Sequence, residues 1–427
     1  MKNLLTTILL FITIAVTAQE FDVSAELRPR YEYRHGFKQP VSSADDAANF
    51  VSQRTRLNIK FKDEKYTLFL AIQNVRVWGD VATLSNGDKY GMAIHEAWAE
   101  YFINPKIAVK LGRQEIKYDD QRMFGSVNWV QQARSHDALL VKFKTGESGK
   151  LHIGLALNAN GESLVLEDYN INQYKALQYA WYNTKLNDAL DLSALFLNNG
   201  MPFDNSVGEQ KVAYSQTIGA RLTFKKKRFT ADAATYFQGG RTPSGLPEGK
   251  TDLSSYYFSA NAKFNISDQF KIGAGFELLS GNDQDVTSTT DKSFKPLYGT
   301  NHKFNGLMDY FYVGSHMNSV GLIDINLPIS FSKDKFSAKL VPHFFSADGN
   351  IMNPDTTKAE AYLGTEIDLI LGYKVYKSVS LNVGYSQMFG TDSLQILKGG
   401  DVNETNNWAW AMITFKPNLF NWKKPLE

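Results

Sequence analysis

Ala25 to Arg34 reads AELRPRYEYR, with Glu26, Arg28, Arg30, Glu32 and Arg34 on one parity and Leu27, Pro29, Tyr31 and Tyr33 on the other. Successive side chains of a β-strand point to opposite faces, so this segment turns a ladder of charges one way and an apolar, aromatic strip the other. Arg54 to Lys62, RTRLNIKFK, repeats the pattern: Arg54, Arg56, Asn58, Lys60 and Lys62 against Thr55, Leu57, Ile59 and Phe61. Two architectures use such strands. A membrane β-barrel turns the apolar residues to lipid and the charges to a polar lumen. A soluble sandwich turns the apolar residues to a core and the charges to water. These two strands alone do not choose between them.

Upstream, Met1 and Lys2 precede an apolar stretch from Leu4 to Val16, with small residues at Val16 and Ala18. That is the layout of a secretory signal peptide, residues 1–18, which leaves 19–427 as one mature domain. The stretch is shorter than the roughly 20 residues of a spanning helix, and no later stretch approaches that length without charges, so helical membrane insertion is excluded. With no cysteine, the chain has neither a disulfide framework nor a thiolate metal site. Aromatics make up 13% of residues while the hydrophobic fraction is an ordinary 43%, a combination suited to barrels with aromatic girdles and half-polar strands. The formal net charge of +2 makes no case for nucleic-acid binding.

Period-2 segments recur along the whole mature chain between stretches rich in Gly, Asn, Asp and Ser, about 18 of them, each near the length of a tilted membrane strand. Several have a clean apolar strip. Ile323, Ile325, Leu327, Ile329 and Phe331 oppose Asp324, Asn326 and Ser330, while Leu363, Ile367, Leu369 and Leu371 oppose Gly364, Glu366 and Asp368. Each Arg or Lys turned to mid-membrane lipid would cost roughly 2 to 4 kcal/mol, so the charged faces must meet a lumen or bulk water. Connections alternate in length. Asp63-Glu64, Asn104-Pro105 and Lys225-Lys226-Lys227 are tight, whereas 39–49, 84–92, 200–210, 239–251, 282–318 and 391–406 are long. A long/short rhythm of this kind separates an outer-membrane barrel from a sandwich. The expected fold is therefore all-β, a transmembrane antiparallel β-barrel in the outer membrane.

One stretch is more specific: HEAWAEYF at His95 to Phe102, followed by GRQEIKYDDQRMFGSVNWVQQARSHDALLVKF at Gly112 to Phe143. It resembles the alginate-export family of outer-membrane proteins, whose hallmark runs G-R-Q-E-x-x-Y-G-D-x-R-x-x-G, then Trp, then G-R-x-x-D-A. Gly112, Arg113, Gln114, Glu115, Tyr118, Asp120, Arg122, Gly125, Trp129, Arg134, Asp137 and Ala138 match it. Asp119 and Ala133 stand where the family pattern has glycine. The resemblance implies an 18-stranded monomeric barrel that passes an anionic exopolysaccharide outward through a charged, arginine-rich constriction, with a polymer-exporting complex behind it in the periplasm. It also implies that Arg113, Glu115, Asp120, Arg122, Arg134 and Asp137 gather on or beside the lumen wall, near an inserted loop spanning 117–134, either pinning that loop or touching solute.

Among the inward parities, Arg28, Arg30, Arg34, Arg54 and Arg56 offer always-charged, bidentate partners for carboxylates. Glu26 and Glu32 interleave with them, and Glu366 and Asp368 sit late in the chain. The ladder is either an anion-guiding element or a set of pairs that neutralise one another. No catalytic constellation emerges. HEAWAE shares letters with the zinc-protease helix but lacks the second histidine and alternates as a strand. There is no G-x-S-x-G elbow, and the acidic Gly281–Asp285 loop is a solvated surface loop before it is a calcium site. The sequence thus describes a monomeric, cofactor-free channel in outer-membrane lipid for an anionic polysaccharide or a small polar solute. A general or selective porin is the main alternative, and a secreted β-sandwich binding or enzyme domain a remote one.

Overall fold

A computed structural model describes residues 20–286, 288–312, 316 and 320–423; the signal-peptide segment lies outside the described residues. Eighteen antiparallel strands form one closed barrel. They are β1 (Glu20–His35), β2 (Ala48–Lys62), β3 (Tyr66–Val77), β4 (Ala93–Asn104), β5 (Ile107–Gln114), β6 (His136–Thr145), β7 (Gly149–Leu157), β8 (Ala176–Asn187) and β9 (Leu190–Asp204). Then follow β10 (Gln210–Lys226), β11 (Phe229–Pro243), β12 (Lys250–Asn265), β13 (Phe270–Leu279), β14 (Leu322–Asn326 with Ile329–Lys333), β15 (Phe336–Ser346), β16 (Tyr362–Tyr376), β17 (Val379–Gly390) and β18 (Asn406–Phe415 with Asn418–Lys423). Each strand pairs with its sequence neighbour, and β1 closes the ring on β18, from Glu20 opposite Lys423 to Arg34 opposite Trp408. Pro328 and Pro417 split β14 and β18 because proline has no N–H to give the ladder.

The alternation works as a lipid/lumen sorter. Leu27, Tyr31 and Leu57 are exposed on the outer face, while Glu26, Arg28, Arg30, Glu32, Arg54 and Arg56 are buried. Outward strips continue around the ring at Ile325, Leu327, Ile329, Ile367 and Leu371. Leu363 departs from its expected place in that strip and is fully buried. The register slips where Phe345 faces Gly364 and Ser346 faces Tyr362, so Leu363 is the extra residue of a β-bulge. Gly364 permits it, with φ +139 and a backbone so close to Phe389 that a Cβ would lie 2.3 Å from its carbonyl oxygen.

Tight turns lie on the rim that holds both described chain ends, the periplasmic side of outer-membrane barrels. Two of the long connections do not stay at the opposite rim. Segment 115–135 and the described residues of 280–321 fold into the lumen and lie side by side, through Gly125 N–H to Tyr298 O (2.8 Å), Thr300 N–H to Gln121 O (2.9 Å) and a parallel bridge between Phe124 and Tyr298. Their apolar residues Met123, Phe124, Phe294, Met308, Tyr310 and Phe311 pack with inward side chains such as Tyr179, Leu197 and Trp408. The core of this barrel is therefore inside the lumen, where loop residues pack against the inward faces of the strands.

Candidate functional site

The arginine ladder meets the tip of the first lumen loop. Arg134, whose backbone N–H donates to Ser126 O (2.7 Å), draws 126–134 into a closed loop. Arg28 donates to Asn128 O (2.9 Å), Trp129 O (3.2 Å), Val130 O (3.3 Å) and Gln131 Oε1 (2.9 Å). Arg30 donates to Trp129 O (2.7 Å), and Arg54 to Gln131 O (3.3 Å) and Asn128 Oδ1 (2.8 Å). Arg56 acts at one remove. It holds Gln73 Oε1 (2.6 Å), whose amide donates to Gln132 O (2.8 Å). The acids in the ladder orient these forks: Glu26 takes Arg54 (2.6 Å), and Glu32 takes Arg30 and Arg34 (both 2.8 Å) together with Trp408 Nε1 (3.1 Å). Trp129 seals the contact, lying 4.0 Å from the Arg30 guanidinium and stacked on His302 of the second loop.

The motif residues separate. Asp120 reaches the far side of the ring, where Arg221 of β10 meets it at 2.5 Å and also holds Asp232 of β11 at 2.7 Å. Arg122 is 2% exposed and binds Glu277 of β13 (3.2 Å), Asn305 Oδ1 (2.9 Å) and the face of Phe304. Arg134 donates to Gly299 O (3.1 Å) and ties the two loops together. Arg113 and Asp137 pair at 2.7 Å on the outer face, with side chains 43% and 63% exposed, and so stand apart from the lumen cluster implied by the resemblance. Their parity is that of Leu111, which faces outward. Asp119 and Ala133, the two departures from the family glycines, both have left-handed backbones at φ +50 and +57, which explains why glycine suits those positions.

Glu366 and Asp368 face inward and are buried, and their partners come from the second loop. Met308 N–H donates to Glu366 (2.8 Å), Leu307 N–H to Asp368 (3.1 Å), and Ser386 Oγ to Asp368 (2.5 Å). Gly306 makes the approach possible. It has φ +83, and a Cβ there would lie 2.5 Å from Glu366 Oε2. Asp324 holds His343 (2.9 Å) nearby.

HEAWAE is a strand with a bulge: Ala71 faces Glu96 and Ile72 faces Ile94, so His95 is the extra residue. The bulge brings His95, Glu96 and Glu115 donor atoms within 4.8 Å of one another. Glu115, the shared member of this trio, is already engaged. Lys117 binds Glu115 at 2.7 Å and His95 binds it at 2.9 Å; burial alone would raise the Glu115 carboxyl, but these two hydrogen bonds outweigh it and hold it at about 2.

The family model for alginate export matches residues 19–408. The chain belongs to the alginate-export family. It is an outer-membrane β-barrel channel, and family and fold are those of proteins that are not enzymes. No curated protein matches it. Among solved structures it is similar to OccAB1 of Acinetobacter baumannii (12% identity, TM-score 0.64, covering 94% of this chain and 97% of that one). It is also similar to OccK8 (OprE) of Pseudomonas aeruginosa (12%, 0.59, 95% and 100%) and to a BenF-like porin from Pseudomonas fluorescens (12%, 0.59, 94% and 100%). At these identities the likeness concerns the fold.

In this alginate-export barrel the sequence reading missed the second lumen loop and everything it brings: Asn305, Leu307, Met308, and Glu277 as the partner of Arg122. Glu277 was findable, since it lies on the inward parity of β13 with Gly275 and Leu279. The loop's inward course was not, because its ties join backbone groups and side chains such as Asn305 and His302 to partners far away in the chain, and that long-range pairing carries no local sequence signal.

Proposed function

We propose that this channel passes an anionic polysaccharide or another anionic or polar solute passively across the outer membrane, as a monomer, with any driving force supplied by a periplasmic complex. The observation that carries this reading is the charge left on the ladder. Among the described residues, the ion pairs of Arg28, Arg30, Arg34 and Arg54 are with Glu26 and Glu32 alone, Arg56 has none, and most other acceptors of these guanidiniums are neutral carbonyls, which satisfy hydrogen bonds without cancelling charge. A fixed positive wall beside a narrow passage favours anions. Because two loops occupy the lumen, uptake of small solutes is the second reading.

Reversal potentials across a planar bilayer under a salt gradient test the proposal. The wild type is expected to prefer anions, and Arg28→Glu, Arg30→Glu and Arg56→Glu together to reverse that preference. Cation preference in the wild type removes the basis for a polyanion conduit.

A further inference from the structure

On the far side of the ring from the arginine ladder, a cavity of about 410 Å³ opens between β10–β15 and the two lumen loops. Lys263 of β12, Lys271 of β13, Lys339 of β15 and Lys303 of the second loop line it. The carboxylates on the same walls are already engaged. Asp120 and Asp232 share Arg221, Glu277 holds Arg122 and accepts from Tyr257 and Asn305, and Asp324 holds His343. Among the described residues, none of the four lysines has a carboxylate within ion-pair distance. Lys303 donates instead to the backbone carbonyl of Asp120 (2.8 Å). Burial, set against Asp120 and reinforced by repulsion from Arg221 and Lys263, holds the Lys303 ammonium below the ordinary lysine value. With Arg221, five Lys and Arg side chains line the cavity against four carboxylates, and Arg122 stands buried behind Glu277.

We propose that Lys263, Lys271, Lys303 and Lys339 form a binding site for a polycarboxylate solute, separate from the arginine ladder, and that this site rather than the ladder makes direct contact with what the channel carries. The inference rests on the channel reading above. The chemistry of the two groups differs. Ladder guanidiniums are rigid forks whose donors are spent on the loop tip, whereas lysine ammonium groups are mobile point charges on flexible stems, with donors to spare for a ligand. Such contacts hold an anion loosely enough for it to move on, as conduction requires. Asn261, Asn326 and Ser330 add neutral polar groups to the lining, and Tyr257, Phe304 and Val341 add apolar surface. The volume is that of an ordinary small-molecule pocket.

The test is calorimetric titration of the whole protein in detergent with trigalacturonate, a short chain carrying three carboxylates, with neutral maltotriose as comparison. Saturable binding of trigalacturonate that weakens as salt is added is expected, with none for maltotriose. Lys263→Met with Lys339→Met is expected to weaken it about tenfold or more, and Lys358→Met, on an exposed loop, to leave it unchanged. No saturable binding, equal binding of maltotriose, or unchanged affinity in the double variant overturns the site. Binding is read without a membrane, so a protein that binds trigalacturonate but carries no current in a bilayer would overturn the channel reading and leave the site standing. Retained heat-modifiable migration of the double variant on a gel shows that its barrel is intact.

Discussion

Two stretches of the lumen wall hold the inserted loops by opposite chemistry. On β1 and β2, arginines extend from the wall and collect carbonyls of the first loop at arm's length, three donors at a time from Arg28 alone. On β16, carboxylates stay close to the wall and the second loop must come to them, laying the amides of Leu307 and Met308 directly on the strand. The difference is one of reach and compensation. A guanidinium carries five donors on a long stem, and its charge here is balanced in part by Glu26 and Glu32. Glu366 has a short stem and accepts from the neutral amide of Met308, and among the described residues its Oε2 has no hydrogen-bond partner. The arginine side therefore depends on side chains and the acidic side on backbone shape.

The comparison breaks most sharply at Arg54, which is fully buried and serves both Glu26 and the loop tip. Arg54→Ala leaves Glu26 buried with its nearest cations, Arg28 and Lys416, at 3.9 Å. Losing one partner of a buried pair costs about 3 to 5 kcal/mol. Urea unfolding in detergent, followed by tryptophan fluorescence, is expected to register that loss, and Glu26→Ala added to Arg54→Ala is expected to recover part of it. A loss below about 1 kcal/mol, the value of an exposed pair, would mean that the ladder is solvated and not clamped.

Shape on the acidic side is tested at Gly306. Gly306→Ala places a methyl group against the Glu366 carboxylate on a backbone with positive φ. About 1 to 3 kcal/mol is expected, the usual cost of a strained backbone position, together with noisier single-channel current as Leu307 and Met308 lift from β16. Quiet, wild-type current in a stable variant would show that the second loop is not held by this contact.

These two walls were unequally legible. Strand number, the lipid/lumen parity and the inward facing of Glu26 to Arg34 follow from period-2 alternation, because a barrel leaves each side chain only two places to point. The motif at Gly112 to Phe143 gave the inserted first loop through its resemblance. What the ladder does there did not follow. The same arginines suit a solute carboxylate or a loop carbonyl, and the choice depends on where residues about a hundred positions away come to rest. Leu363 was misplaced for a related reason, since one bulge shifts the register and turns a side chain to the other face. Lys263, Lys271 and Lys339 lay in plain view on inward parities, and only the pairing of every nearby acid marks them out.

The smallest effect is expected where the acidic side has charge to spare. In Glu366→Gln, the amide oxygen can still accept from Met308 N–H at the position of Oε1. The amide nitrogen then stands in place of Oε2, the buried oxygen with no partner, beside Asp368. A like-charge neighbour becomes a hydrogen-bond donor. Burying a neutral amide in place of a carboxylate also removes a desolvation cost. The variant is expected to be as stable as the wild type or more so, by up to about 1 kcal/mol on the net scale of one hydrogen bond, in the same urea measurement that penalises Arg54→Ala. A loss of several kcal/mol would instead mean that the second loop needs the negative charge itself, and the two walls would then be held by the same kind of force.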